Sequence, residues 1–261
     1  MSSYEDMFYE NGQVNVKVLK AEMRPGEAVV AHWHEAIELI LVVDGHMEVT
    51  NDGRRFSLYP GEITCSHSKH LHYYLSGREG CQYYALIFDM DMLSDRDFAG
   101  QKLPLCVLAP GGGEGVIQIH RLLEQRPPFY IQEIQGILTQ LYAQLVRIGG
   151  GETIGQDRKM NIYIKSAIQY IENNLMSELT LDTIAGEIGI SPYYLSHIFK
   201  QGTGNTLAEY WQRLRCERAR KLLHEGVGVA AAAEQSGFPS VSHFRKTYLA
   251  QFGILPSRDR K

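Results

Sequence analysis

The sequence predicts an α+β protein with several domains: a β domain, a helical hairpin, a linker and a C-terminal all-α domain. Its 261 residues, 44% apolar and 21% charged, can form one large or two ordinary domains with hydrophobic cores. Short alternating runs separated by turn residues fill the stretch from 14 to 88, which is typical of strands. A helical period replaces this pattern from residue 115 onward.

Turns and breaks indicate the domain boundaries. Turn signals divide the β stretch at Asp44-Gly45, Asn51-Asp52-Gly53, Tyr59-Pro60-Gly61 and Ser76-Gly77, and we place the β domain at about 14–90. Two helices are predicted over about 115–148, interrupted at Pro127-Pro128. The glycines that follow are typical of a flexible linker. We therefore expect an N-terminal domain over 1–148, a linker over 149–157 and a C-terminal domain over 158–261.

An apolar stripe runs along the second helix of the hairpin. Its residues recur at helical spacing: Ile134, Leu138, Leu141 and Leu145. The stripe is longer than a β domain needs, so we assign it to dimerisation and expect a homodimer. Packing of the stripe against its own β domain is the alternative.

Composition argues against a membrane span and a disulfide framework. The longest run of large aliphatic residues, Leu39 to Val43, is far too short to cross a bilayer. The N-terminus lacks the basic and apolar segments of a signal peptide. The four cysteines form no Cys-x-x-Cys pair, which favours free thiols in a reducing compartment. We expect a cytoplasmic protein with no membrane partner.

The net charge of −4 is unevenly distributed along the chain. Residues 1–157 hold 12 Lys and Arg against 21 Asp and Glu, whereas residues 158–261 hold 14 against 9. The second part therefore carries a net charge of +5, and such a split favours a polyanionic partner for the basic part.

The basic part contains a helix-turn-helix pattern between Leu181 and Lys200. Ala185 is small where two helices must cross, and Gly189 suits a turn that needs a positive φ. Thr180 can cap the first helix, and Ser191 can cap the next, with Pro192 at its first position. Leu195, Ile198 and Phe199 then face the core, which leaves Tyr193, Ser196, His197 and Lys200 on the outer face.

A second copy of this pattern follows about 48 residues later. Ala233 and Gly237 repeat the small residue and the turn, and Ser240 can cap a helix with Phe244 and Tyr248 inward. Its outer positions are Val241, Ser242, His243, Arg245, Lys246 and Leu249. Two capped copies with basic outer faces predict a double-stranded DNA partner, since such helices enter major grooves. A plain helical domain with a solvated basic face is the alternative.

Residues from about 160 to 257 resemble the DNA-binding domain of AraC/XylS-type transcription regulators. The matching stretches are 190–200, 210–223, 236–244 and Gly253-x-x-Pro256-Ser257. The resemblance implies a regulator, more an activator than a repressor, whose two units read successive major grooves. Carried over by position, base contacts would come from Tyr193, Ser196 and His197 on the first recognition helix and from Val241, Ser242, His243 and Lys246 on the second.

The second unit departs from the family pattern at four places. Ser240 stands where an acidic residue is usual, and His243 where an aromatic residue is usual. Leu249-Ala250 replaces a basic pair, and Asp259-Arg260 replaces a closing Tyr-Arg. At these positions the resemblance does not carry over the phosphate contacts of the second unit.

The pattern Gly26-x5-His32-Trp-His34-x3-Glu38-x6-Gly45 resembles the first cupin motif, and Gly61 and His72 keep the outer spacing of the second. The resemblance implies a β jelly-roll over roughly 14–90. His32, His34 and Glu38 share parity, so one strand face could hold all three. A straight strand would spread them over about 20 Å, so the chain must bend after His34 if they bind one ion.

His32, His34, Glu38 and His72 are therefore candidate ligands of a divalent metal, with Zn, Mn, Fe and Ni all plausible. The same four residues can instead line a pocket for a small-molecule effector. The leading hypothesis is a ligand-responsive DNA-binding transcription regulator. A metal-dependent cupin enzyme, an isomerase or oxygenase, fused to a DNA-binding module is the alternative.

Overall fold

The N-terminal part of the chain forms an antiparallel sheet organised by two long strands. The structure, a computed structural model, describes residues 16–93, 101–149 and 158–259. Its strands are β1 (Val16–Met23), β2 (Ala28–His32), β3 (Ile37–Asn51), β4 (Arg54–Leu58), β5 (Glu62–Ser66), β6 (His72–Phe88) and β7 (Cys106–Leu108). The strand order is β1-β6-β3-β5-β7, with β2 also paired to β6 and β4 to β3.

Strand β3 changes direction at a pair of irregularities between Val42 and Met47. Gly45 has a φ of 70° here, and a Cβ on it would overlap the carbonyl oxygen of Gly80, so only glycine fits. Ile40 before the bend and Val49 after it share one buried apolar cluster. The sheet therefore curves around an interior, and Glu38 lies on the face of β3 that points into it.

Two helices cover the opposite face of the sheet. They are α1 (Glu114–Gln125) and α2 (Tyr130–Gly149), interrupted where the proline pair predicted a break. All four residues of the apolar stripe on α2 are buried in a cluster with sheet residues such as Leu39 and Leu86. The assignment of this stripe to dimerisation is wrong, because the stripe packs against its own sheet. Helix α2 also continues through Gly149, and residues 150–157 of the predicted linker lie outside the described residues.

The chain divides into two compact units, Met1–Gln156 and Asp157–Lys261, and the second is helical throughout its described residues. Its helices are α3 (Arg158–Asn173), α4 (Leu181–Ile188), α5 (Pro192–Thr203), α6 (Leu207–His224), α7 (Val229–Gln235) and α8 (Val241–Phe252). The predicted α+β class is thus confirmed. No helix in the described part of the chain has the length and apolar character needed to cross a bilayer.

Side-chain caps fix the starts of α4, α5 and α8 in the two helix-turn-helix units. Thr180 forms a capping box with Thr183 before α4, and Ser191 and Ser240 accept hydrogen bonds from the backbone N–H groups of Tyr194 and His243. Gly189, with a φ of 77°, ends α4 in the left-handed conformation predicted for the turn. The sequence signals at these positions therefore correspond to real helix ends.

Arg215, on α6, is a buried arginine whose side chain is not exposed to solvent. Its Nε donates to the carbonyl oxygen of Leu175 at 2.8 Å, and its Nη2 donates to that of Ser177 at 3.0 Å. The guanidinium carbon lies 3.9 Å from the centre of the Trp211 ring. Gly237, with a φ of 78°, packs against the same guanidinium. Arg215 thus links the segment between α3 and α4, which contains Leu175 and Ser177, to the turn of the second helix-turn-helix unit at Gly237.

Candidate functional site

Three strands and one bend bring the four candidate ligands together inside the curved sheet. His32 ends β2 and pairs with His72 at the start of β6, while Glu38 lies near the start of β3. The chain leaves the strand conformation at residues 33–36, which gives the bend that the spacing required. His34 lies in this bend. All four side chains are buried, and their ligand atoms lie within 4.8 Å of one another.

One carboxylate oxygen, Oε2 of Glu38, lies at the centre of this cluster. The Nε2 atoms of His72, His34 and His32 lie 2.8, 3.1 and 3.9 Å from it. The Nε2 atoms of His32 and His72 are 2.9 Å apart. Three imidazoles therefore present the same ring nitrogen to one carboxylate, which is the donor set of a transition-metal site.

Backbone carbonyl groups determine which nitrogen of each ring faces the centre. Nδ1 of His32 lies 2.7 Å from the carbonyl oxygen of Val30, and Nδ1 of His34 lies 3.0 Å from that of Ala36. Nδ1 of His72 lies 2.8 Å from the carbonyl oxygen of His70. Each Nδ1–H therefore donates to the backbone, and a neutral ring keeps its lone pair on Nε2. Lone pairs this close repel unless a proton or a metal cation lies between them, so the residues fit a divalent metal.

The electrostatics of the cluster favour the protonation states that bind metals. Burial, followed by the proximity of His72, lowers the pKa of His32 well below 6.5, so its ring is neutral at physiological pH. Burial alone would raise the pKa of Glu38, but its contacts with His72 and His34 outweigh burial and hold that pKa well below its usual range. The cluster thus combines neutral imidazole with an ionised carboxylate.

Sequence reasoning missed two polar contacts in the N-terminal unit, one of them beside this cluster. Asn51 is fully buried and lies opposite His72 in the β3–β6 pairing. His67, in the β5–β6 turn, accepts a hydrogen bond from the backbone N–H of Leu103 at 2.9 Å through its Nε2. Both positions depend on pairing between distant segments, and no local spacing signals them.

The outer face of α5 presents all four residues predicted for the first recognition helix. Tyr193, Ser196, His197 and Lys200 are exposed, and Tyr193 keeps 85% of its surface accessible. Together with Gln201 they line an open depression of about 410 Å³. Gln201 was not predicted, although it lies two helical turns from Tyr193 and hence on the same face.

The outer face of α8 is smaller than predicted. Ser242, Arg245 and Lys246 are exposed. Val241 is half-buried and packs against the core of its unit, and the ring of half-buried His243 lies 5.9 Å from that of Phe238. Of the six predicted outer positions, Val241 and His243 are thus half-buried, whereas Ser242, Arg245, Lys246 and Leu249 are exposed.

The last of the four departures from the family pattern, at Asp259, forms a polar cluster with Tyr248 on the inner side of α8. Asp259 accepts a hydrogen bond from the hydroxyl group of Tyr248 at 2.7 Å and pairs with Nε of Arg220 at 2.9 Å. Asp259 therefore links α8 to α6 at the position where the family pattern has a different residue.

Two family matches cover most of the chain. The AraC-like ligand binding domain family matches residues 18–145, and a helix-turn-helix domain family matches residues 184–261. The activator AarP of Providencia stuartii is 36% identical over 95 residues, which cover 36% of this chain and 70% of AarP. The regulatory protein PocR of Salmonella typhimurium is 32% identical over 99 residues, which cover 38% of this chain but only 33% of PocR.

A solved protein has a similar fold over both units of this chain. The structure of apo ToxT K231A from Vibrio cholerae matches with a TM-score of 0.55 and covers 95% of this chain and 98% of that one. The sequences are 12% identical, so the likeness concerns the fold alone.

Proposed function

Because the chain belongs to the AraC family of DNA-binding transcription regulators, we propose that it activates transcription in response to a small molecule sensed by its N-terminal unit. The observation that carries this proposal is the pair of capped recognition helices, α5 and α8, each with polar or basic side chains on an exposed face. Activation is proposed from the similarity to AarP, which is described as a transcriptional activator.

Exposed side chains of the two recognition helices are proposed to read base edges. Tyr193, Ser196 and His197 on α5 and Ser242 on α8 supply polar or aromatic contacts in the major groove. Lys246 on α8 also contacts a base edge, and Lys200 and Arg245 neutralise phosphate groups, which makes the affinity fall with rising salt. Val241 and His243, which are half-buried, are proposed to contact the DNA at the edge of the second recognition helix.

The sensory centre is proposed to be the cluster of His32, His34, Glu38 and His72, with a divalent metal held by these four side chains. A metal bound there would act as a Lewis acid that attracts an oxygen atom of the effector. The protein's own part is to orient the imidazoles through their backbone contacts and to exclude water through burial. Binding can control DNA affinity only if it differs between two arrangements of the chain.

We propose a sensor and not a catalytic centre, although the same four side chains would suit a metal-dependent isomerase or oxygenase. The family to which the chain belongs is a regulatory one, and this favours the sensor. Stoichiometric metal together with turnover of a substrate would favour the enzyme. Loss of the DNA response in Glu38→Gln, without turnover in the wild type, would favour the sensor.

A cytoplasmic homodimer completes the proposal. In a dimer, binding of one DNA-binding unit to its half-site would raise the effective concentration of the other unit at the second half-site. All four cysteines are free thiols, which suits a reducing compartment. Sedimentation equilibrium tests the assembly: a mass near twice 29.5 kDa is expected, and a monomer at every concentration would remove dimerisation from the proposal.

DNA binding by the full-length protein tests the proposed function most simply. Duplexes selected from a random-sequence library should bind with an affinity that falls steeply with salt. Combining His197→Ala with Lys246→Ala should weaken binding by about tenfold or more, because each lost base contact costs on the order of 1–3 kcal/mol. Arg121→Ala, an exposed change on α1, is the matched control and should leave affinity unchanged. Salt-independent binding that both variants retain would contradict the proposal.

A further inference from the structure

One buried polar atom beside the sensory centre has no hydrogen-bond partner among the described residues. Asn51 is fully buried, and its Nδ2 donates to the carbonyl oxygen of Cys65 at 2.9 Å and to Oγ of Ser66 at 3.0 Å. Within the described chain, nothing donates to its Oδ1. A buried amide oxygen without a donor is costly, so such an atom points to a partner that is not a residue of the described chain.

Strand pairing places Asn51 next to the metal-ligand cluster. Asn51 lies directly opposite His72, and residues opposed in this way hold their Cβ atoms about 5 Å apart on the same face. Ser66, which binds Nδ2 of Asn51, lies directly opposite Glu38. Strand register therefore places Asn51 beside His72, and its hydrogen-bond partner Ser66 beside Glu38. The two hydrogen bonds that Nδ2 donates fix the orientation of the Asn51 amide group.

The charge of the centre indicates what else binds there. Glu38 is the only acidic side chain among the buried residues that the structure describes. A divalent cation held by Glu38 and three neutral imidazoles keeps one positive charge, and an isolated buried charge is unfavourable. An anionic oxygen ligand would neutralise it.

We propose that Asn51 is a fifth residue of the sensory site, whose Oδ1 accepts a hydrogen bond from a hydroxyl group of the effector while an anionic oxygen of the same molecule binds the metal. The effector then belongs to the class of small hydroxycarboxylates, in which a hydroxyl group adjoins a carboxylate. This inference rests on the proposed metal centre, and it adds to that centre the chemistry of the ligand.

Two matched acids test the role of Asn51 in full-length protein loaded with Co²⁺. Glycolate carries a hydroxyl group beside its carboxylate, and methoxyacetate carries a methyl ether in the same place. Visible absorption of the bound Co²⁺ reports the binding of each acid without any measurement of activity or of DNA. Wild-type protein should bind glycolate about tenfold more tightly than methoxyacetate, since the lost hydrogen bond leaves a buried acceptor unpaired.

Variants at Asn51 separate the hydrogen bond from the size of the ligand. Asn51→Leu removes the acceptor and should abolish the preference for glycolate. Asn51→Asp keeps an oxygen acceptor and should retain it, which provides a second test if the leucine variant fails to fold. Ser57→Ala is the matched control, because the hydroxyl group of Ser57 donates to Glu48 and not to Asn51, and it should also retain the preference.

The outcomes distinguish this inference from the proposed centre. Failure of wild-type protein to take up Co²⁺ would overturn both. If Co²⁺ binds but neither acid changes its absorption, the hydroxycarboxylate class falls while the metal centre stands. A preference for glycolate that persists in Asn51→Leu would be steric, and it would overturn the role of Asn51.

Discussion

At the residue scale, spacing predicted the four members of the buried cluster, and geometry predicted the bend that joins them. A strand could not bring His34 and Glu38 to one point, and the chain indeed leaves the strand conformation between them. Asn51 and His67 were not predictable, because their roles arise from pairing with His72 and Leu103, which are distant in sequence. Local pattern therefore identifies candidate ligands but not the residues that surround them.

Glu38→Gln should weaken the binding of a divalent ion to the full-length protein more than about 100-fold. The amide removes the only buried carboxylate of the described cluster, and even residues that merely support metal ligands contribute about 10–100-fold. Isothermal titration with Zn²⁺ measures the affinity. His120→Gln, which changes a histidine on α1 outside the cluster, should bind Zn²⁺ as the wild type does; equal binding by Glu38→Gln would argue against the centre.

His67 should make the stability of the N-terminal unit depend on pH. Burial, followed by the proximity of His70, lowers the pKa of His67 to about 4 from 6.5. The unfolded chain therefore binds a proton that the folded chain does not as pH falls from about 6.5 to about 4, and folding weakens by up to about 3 kcal/mol over that window. Above pH 6.5 this contribution is fully present.

Urea unfolding of His67→Gln across pH 4–7 isolates the effect of His67. Glutamine can still accept the N–H of Leu103 but does not titrate, so the variant should lose less stability than the wild type as pH falls. Identical pH profiles of the two proteins would show that His67 does not titrate in this way.

At the element scale, caps and turns were the most predictable features of the chain. Thr180, Ser191 and Ser240 cap helices where the sequence places them, because capping depends on residues that are close in sequence. The stripe on α2 was recognised correctly as apolar, but its partner was misassigned. Periodicity shows that a face is buried without showing what buries it.

Gly237→Ala should destabilise the second helix-turn-helix unit, and Gly186→Ala should stabilise the first. Gly237 has a φ of 78°, and an added Cβ would lie 2.9–3.0 Å from the guanidinium of Arg215, at a cost of about 1–3 kcal/mol. Gly186 lies in α4 with open space around it, so alanine should add about 0.5–1 kcal/mol. The fluorescence of Trp211 in a Trp33→Phe background reports both changes during thermal unfolding. A rise in midpoint for Gly237→Ala would contradict the geometry.

At the scale of the whole molecule, the change of periodicity predicted a β part and a helical part, and the uneven charge favoured a polyanionic partner for the helical part. The sensory role was implied by the resemblance to cupins and to AraC/XylS-type regulators. The effector, the DNA sequence and the assembly do not follow from such patterns. Each depends on surfaces formed by distant residues, as the half-burial of Val241 and His243 on α8 illustrates. The exposed face of a helix is therefore known only once its neighbours are placed.

A hydroxyl-radical footprint of the full-length protein on a selected duplex tests the central claim most directly. Two recognition helices that read successive major grooves should protect two stretches on one face of the DNA, about 10 base pairs apart for each DNA-binding unit. Combining Tyr193→Ala with His197→Ala should remove one stretch, and combining Arg245→Ala with Lys246→Ala should remove the other. A single protected stretch that is unaffected by changes on α8, or no protection at all, would contradict the account.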